Sequence, residues 1–232
     1  MMFLAQMAGL REAWTDQTIL NPLGFAALLA LGTAMLLVPR RYAVVPIIIM
    51  ACLIAPGQRI YVMGMNFTLL RLMVVFGWIR VLARREGEGF QWCILDYLMI
   101  AWAVVGTIMF VMLWGTFDSL IERSGEVYDA LGMYFLFRCL VRNWEDIDTI
   151  VKWFVIIAIP VLLAFLVEHA TGHNLFAFLG GVPAITMIRD GRLRCQGAFA
   201  HPILAGTFWA AVIPLMAAEW WCGKLRHLWV YI

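Results

Sequence analysis

Charge is scarce in this sequence. Asp, Glu, Lys and Arg make up 14% of the 232 residues, while apolar types reach 64%; ordinary soluble domains carry about 25% charged residues. So few charges cannot cover a water-soluble surface, which excludes an enzyme or binding module dissolved in water and calls for lipid as solvent. Cysteines are also few. Cys52, Cys93, Cys139, Cys195 and Cys222 are scattered singly with no Cys-x-x-Cys spacing, so neither a disulfide framework nor a metal knot is expected. The N-terminus, Met1-Met2-Phe3-Leu4, has no basic segment before it and no small-residue cleavage site after a short apolar core. A cleaved signal peptide is therefore not expected, and the first span serves as its own signal. A net charge of +2 is too small to attract nucleic acid. No internal repeat, low-complexity tract or separate globular domain is visible.

What is abundant is apolar sequence in long runs, with 11 Trp and six Tyr suited to headgroup depth. The first run is Ile19 to Val38, closed by Pro39-Arg40-Arg41-Tyr42. The second, Ala43 to Ala55, contains Pro46 and reaches only about two-thirds of the ~20 residues a helix needs to cross. Further spans are expected at Tyr61 to Leu82, Ile94 to Trp114, Val127 to Val141, Trp153 to Val167 and Ile203 to Trp221. Arg142-Asn143-Trp144-Glu145-Asp146-Ile147-Asp148 reads as a short interfacial helix, with Asn143 as its cap and acids at its positive end. Leu228 to Ile232 is too short to cross, so a truncated eighth span and the front portion of a longer protein are expected. The fold class is thus all-α, a polytopic transmembrane bundle of about seven complete spans plus that eighth. Residues 1–18 form an N-terminal extramembrane segment, and 19–232 the helical domain, with the loop 168–202 as its longest polar connection.

Arg40, Arg41, Arg80, Arg84, Arg85, Arg138, Arg142, Lys152, Lys224 and Arg226 all follow odd-numbered spans. The positive-inside rule then puts those loops in the cytoplasm and the 168–202 loop outside, on the assumption that the second span crosses. Against that rule, Arg189, Arg192 and Arg194 cluster in the outer loop just before a span. Guanidinium groups stay charged and grip phosphate oxygens in pairs, so such a cluster suits a lipid-linked pyrophosphate. It equally suits anionic headgroups or a neighbouring carboxylate such as Asp190.

Arg194-Cys195-Gln196-Gly197-Ala198-Phe199-Ala200-His201-Pro202 resembles the Arg-x-x-Gly-x-Phe-x-His/Asn-Pro signature of the O-antigen ligase and O-antigen polymerase-like superfamily. Glu168-His169-Ala170-Thr171-Gly172-His173-Asn174-Leu175-Phe176 is similar to the Glu-x-x-x-Gly-x-Asn-x-Phe segment opening that family's external loop. Asn66-Phe67-Thr68-Leu69-Leu70-Arg71 and Arg142-Asn143-Trp144-Glu145-Asp146 resemble its early span and its cytoplasmic segment, and the resemblance covers most of residues 20–222. It implies a multi-pass inner-membrane glycosyltransferase working on the periplasmic face, without nucleotide sugar, cofactor or metal. The implied partners are a glycan on polyprenyl diphosphate, a lipid or glycan acceptor, and membrane lipids. Arg194 would bind the diphosphate, helped by Arg192 and Arg189, while the acceptor attacks the anomeric carbon and a base in a later external loop takes its proton. The sequence stops before that later loop, so an incomplete site is expected.

Each candidate also has a bland reading. His201 can carry a proton because imidazole titrates near neutrality, or simply precede a proline at the first position of a helix. Glu168, His169 and His173 evoke a zinc site, but Thr171 and Gly172 interrupt the helix that spacing needs and no third ligand is near. Asp146-Ile147-Asp148 imitates a cation-binding Asp-x-Asp, and helix capping accounts for it. Arg71 is a further candidate for the diphosphate path. With Asp96 it is an ionisable group in or near a span, so the two serve function or pair with each other. Two other functions fit the composition: a transporter or flippase of lipid-linked oligosaccharide, and a non-catalytic membrane protein or remnant of the enzyme.

Overall fold

Asn21 starts the first helix. Its side-chain oxygen accepts from the Leu23 N–H at 2.9 Å and Pro22 fills the first helical position, giving α1, Pro22–Leu37. The computed structural model describes residues 18–62 and 65–221. A buried stripe of Gly24, Leu28, Gly32 and Met35 runs along α1. At Gly32 a Cβ would stand 2.9 Å from the Phe76 ring, so the missing side chain is what lets α1 and α3 lie close. After a 3-10 turn at Arg40–Tyr42 comes α2, Val45–Leu53. A hairpin follows, with β1, Arg59–Val62, antiparallel to β2, Met65–Thr68. The Thr68 hydroxyl then accepts from Arg71 N–H at 3.2 Å and starts α3, Leu69–Ala83.

Next are α4, Ile94–Trp114, and α5, Phe117–Leu140. In the cap of α6, Trp144–Thr171, the Asp146 carboxylate accepts from Arg142 N–H at 3.0 Å and Asn143 N–H at 3.2 Å. The expected interfacial helix and sixth span are thus one rod of 28 residues, about 42 Å long at 1.5 Å per residue. Gly172, in the left-handed region at φ 71°, ends it. A 3-10 turn, Leu175–Leu179, leads to a second hairpin, β3, Met187–Arg189, with β4, Arg192–Arg194. The last described helix is α7, Pro202–Trp221.

Seven complete spans do not form. Among the described residues only α4, α6 and α7 are long and apolar enough to cross a membrane. The expected second span is a helix of nine residues, about 14 Å against a hydrocarbon core of about 30 Å. Its apolar face goes into protein instead: Val45, Ile47, Ile48 and Met50 are buried, and α2 packs on α1, α3 and α6. The first and third are helices of 16 and 15 residues, and Tyr61, Val62 and Met65–Thr68 lie in paired strands rather than in a span. The fifth starts ten residues earlier than expected, at Phe117, and carries Glu122, Arg123, Glu126 and Asp129. The expected eighth span and most of the N-terminal segment lie outside the described residues.

The elements still alternate between two ends. At one, Arg40 donates to the Leu140 carbonyl at 2.5 Å and to Asp146 at 2.8 Å, and Arg142 donates to the Glu86 carbonyl. Arg80 is fully buried there: its Nε and Nη2 each donate to a Glu86 carboxylate oxygen at 2.8 Å, and its Nη1 donates to the Met35 and Val38 carbonyls at the end of α1. At the opposite end Asn21 donates to the Phe178 carbonyl at 3.3 Å, and Gly57 abuts Gly181, tying the first hairpin to the 168–202 loop. The hydrophobic core lies between these ends, around Leu28, Met35, Met50, Met73, Leu136 and Val161. On α4, Leu95, Met109, Met112 and Leu113 point outward and exposed, as they would toward lipid.

Candidate functional site

An acid in the last turn of a helix faces the helix's own negative end, and burial makes that worse. Glu168 is in that position in α6 and is 1% exposed. Three donors compensate it. One carboxylate oxygen accepts from the Thr186 hydroxyl at 2.9 Å and Gln196 N–H at 3.1 Å, and the other from Gly197 N–H at 2.8 Å. Thr186 immediately precedes β3, while Gln196 and Gly197 follow β4, so one carboxylate holds both feet of the hairpin. Buried Asn174 adds a second tie by donating to the Gly197 carbonyl at 2.8 Å. Gly197 has φ 58°, and a Cβ there would come within 2.4 Å of the Phe165 ring, so only glycine fits. The two segments that carry the family resemblance are therefore folded into each other.

The hairpin turns at Asp190-Gly191, with φ 54° and 72°, the two-residue geometry that suits strand twist. Arg189 pairs directly with Arg192, and Arg194 lies two residues along the same strand, opposite Met187. Direct cross-strand partners share a face, as do residues two apart. All three arginine stems therefore stand on one face. Like charges so placed repel and gain from an anion between them. Arg189 has a loose contact with Asp190 at 3.8 Å, both well exposed. Among the described residues, the guanidinium groups of Arg192 and Arg194 have no hydrogen-bonding or ion-pair partner. Cys195, next in the chain, has its thiol pushed above the ordinary range, chiefly by burial and further by the charge of Glu168.

His201 caps α7 with its backbone, its carbonyl accepting from Leu204 N–H at 3.0 Å and Ala205 N–H at 3.2 Å. The residue is exposed, and its imidazole bonds to none of the described residues. Behind it Phe165, Phe199, Phe208 and Trp209 pack ring to ring and hold the segment after Gly197 against α6 and α7.

Arg71 does not join the three hairpin arginines as a free cation. Asp129 on α5 takes it in a two-point pair at 2.8 and 2.6 Å, and it also donates to the Asn66 carbonyl. Nor does it pair with Asp96, which accepts from Tyr134 at 2.8 Å and Arg138 at 3.1 Å while capping α4. Asp146 caps α6 and binds Arg40, and Lys152 pairs with Asp148 at 3.2 Å. Among the described residues no group of three His, Cys, Asp or Glu side chains is placed to hold a metal ion. An open groove of about 520 Å³, lined by Trp78, Phe90, Trp92 and Phe135 among others, lies at the basic end, apart from the hairpin.

The sequence alone did not single out Thr186 or Gln196 as partners of Glu168. The available signal was the acid itself, misplaced at the negative end of an apolar helix. Compared with family models, curated proteins and solved structures, the chain matches none.

Proposed function

We propose that the β3–β4 face binds the diphosphate of a polyprenyl-diphosphate-linked glycan, and that the chain belongs to an O-antigen ligase or polymerase-like system transferring or polymerising that glycan for the cell surface. One observation carries this reading: three arginines share a face of a hairpin whose feet are fixed by buried Glu168, and Arg192 and Arg194 are left without a described acceptor. A diphosphate supplies the missing acceptors and the compensating charge. Holding the cations rigid before the substrate arrives lowers the cost of ordering them as charge develops on the leaving diphosphate. The acceptor hydroxyl attacks the anomeric carbon, the carbon–oxygen bond to diphosphate breaks, and the proton goes to a base. His201, exposed at the start of α7, is the candidate base on this segment.

The same reading sets the chain in the inner membrane with the 168–202 loop on the periplasmic face, because Arg40, Arg41, Arg80, Arg84, Arg138 and Arg142 gather at the other end. The test is glycan transfer in membranes that lack their own ligase and polymerase, supplied with polyprenyl-diphosphate glycan. The expected result is transfer that Arg194→Ala abolishes and Arg194→Lys restores only in part, since an ammonium cannot grip two oxygens at once. Transfer indifferent to Arg194 would overturn the reading.

A further inference from the structure

The β3–β4 ribbon has two unlike faces. Its arginines stand with Met187 on one, and the pair Ile188 and Leu193 occupies the other. Ile188 is 67% exposed, and Ile185 and Phe178 in the same loop are 72% and 73% exposed. Large apolar chains exposed together in so short a stretch of one loop mark a contact surface. The loop joins α6 to α7, and both helices are long and apolar enough to cross a membrane, so a bilayer surface lies within a few residues of each of its ends.

We infer that the ribbon is a membrane-surface element that lies in the plane of the leaflet. Phe178, Ile185 and Ile188 enter the boundary between headgroups and acyl chains, at the ~5–10 Å depth usual for interfacial segments. With no lipid-linked diphosphate bound, Arg189, Arg192 and Arg194 extend on their long stems to the phosphates of anionic lipids at the same level. Charge decides for a lipid surface over a second copy of the chain. The ribbon carries three cations against one carboxylate, Asp190, and a two-fold contact through this patch would set the cations of both copies together. Asp190, in the exposed turn, keeps the tip among headgroups. This inference rests on α6 and α7 crossing a bilayer and does not depend on glycan transfer.

The test places an environment-sensitive fluorescent amino acid at position 178, 188 or 190 of the full chain, all exposed, in vesicles of phosphatidylcholine and phosphatidylglycerol. Labels at 178 and 188 are expected to be quenched several-fold more strongly by nitroxide on the lipid chains than by aqueous iodide, with the order reversed at 190. Omitting phosphatidylglycerol should weaken the lipid quenching, and replacing Arg189, Arg192 and Arg194 together by Gln should remove that dependence. Iodide reaching 178 and 188 as freely as 190 would overturn the inference. So would shielding from both quenchers that grows with the protein-to-lipid ratio, which would assign the patch to a second copy.

Discussion

Arg194 and Glu168 sit in contrasting surroundings: the Arg194 residue is half-buried and its guanidinium has no partner among the described residues, while the Glu168 carboxylate is buried and saturated. A charge-assisted hydrogen bond is worth about 1.5–3 kcal/mol, so Arg194→Ala should weaken binding of a polyprenyl diphosphate by roughly 10- to 100-fold, read by titration in nanodiscs. Glu168→Gln keeps the shape but turns an amide N–H toward backbone donors. It should loosen the hairpin feet and, by removing a negative charge, lower the Cys195 thiol toward its ordinary range. Alkylation of Cys195 at mildly alkaline pH, followed by peptide mass spectrometry, should then quicken; an unchanged rate would mean that the carboxylate does not govern this loop. At this scale the sequence was partly legible. The arginine cluster and Glu168 were visible as residue types, but the partners of Arg71 and Asp96 were not, because Asp129 and Arg138 reach them from a helix whose packing no local pattern announces.

Elements depend on close fits that single substitutions disturb. Gly197→Ala meets both a left-handed backbone and the Phe165 ring, and strained positions of this kind cost about 1–3 kcal/mol. It should lower the melting temperature in detergent and free the 168–202 loop for proteolysis. Arg80→Ala would leave Glu86, its side chain only 11% exposed, with its cation gone and would take the fully buried donor from the Met35 carbonyl, and breaking a buried pair costs about 3–5 kcal/mol. That variant should be the less stable of the two, with the damage at the basic end rather than in the loop; comparing sites of limited proteolysis distinguishes them. The hairpin was legible in principle, since Asp190-Gly191 between short alternating stretches is a turn signal. Three arginines in six residues make the same stretch resemble a charge cluster, which masks its strand alternation. The merging of two expected helical pieces into α6 was hidden because its polar first turns look like a separate surface segment.

For the whole molecule, composition announced a lipid environment but not the number of crossings. An apolar run reads the same whether it is buried in lipid or in protein, and α2 is buried in protein. Ionisable residues along α5 hide a long helix in the same way, because the partners of Asp129 and Arg138, Arg71 and Asp96, become visible only once the helices pack. The two ends of the bundle survive the lower count, since loops with basic residues still converge on one of them. Reporter fusions after Arg85 and within 180–184 are expected to report opposite sides of the membrane, the first cytoplasmic. The most direct test of the central claim is equilibrium binding of a polyprenyl diphosphate to the chain in nanodiscs, alongside the matching monophosphate and the Arg194→Ala form. The account predicts tighter binding of the diphosphate, a preference that largely disappears in Arg194→Ala. Equal affinity for diphosphate and monophosphate, unchanged by the substitution, would contradict it.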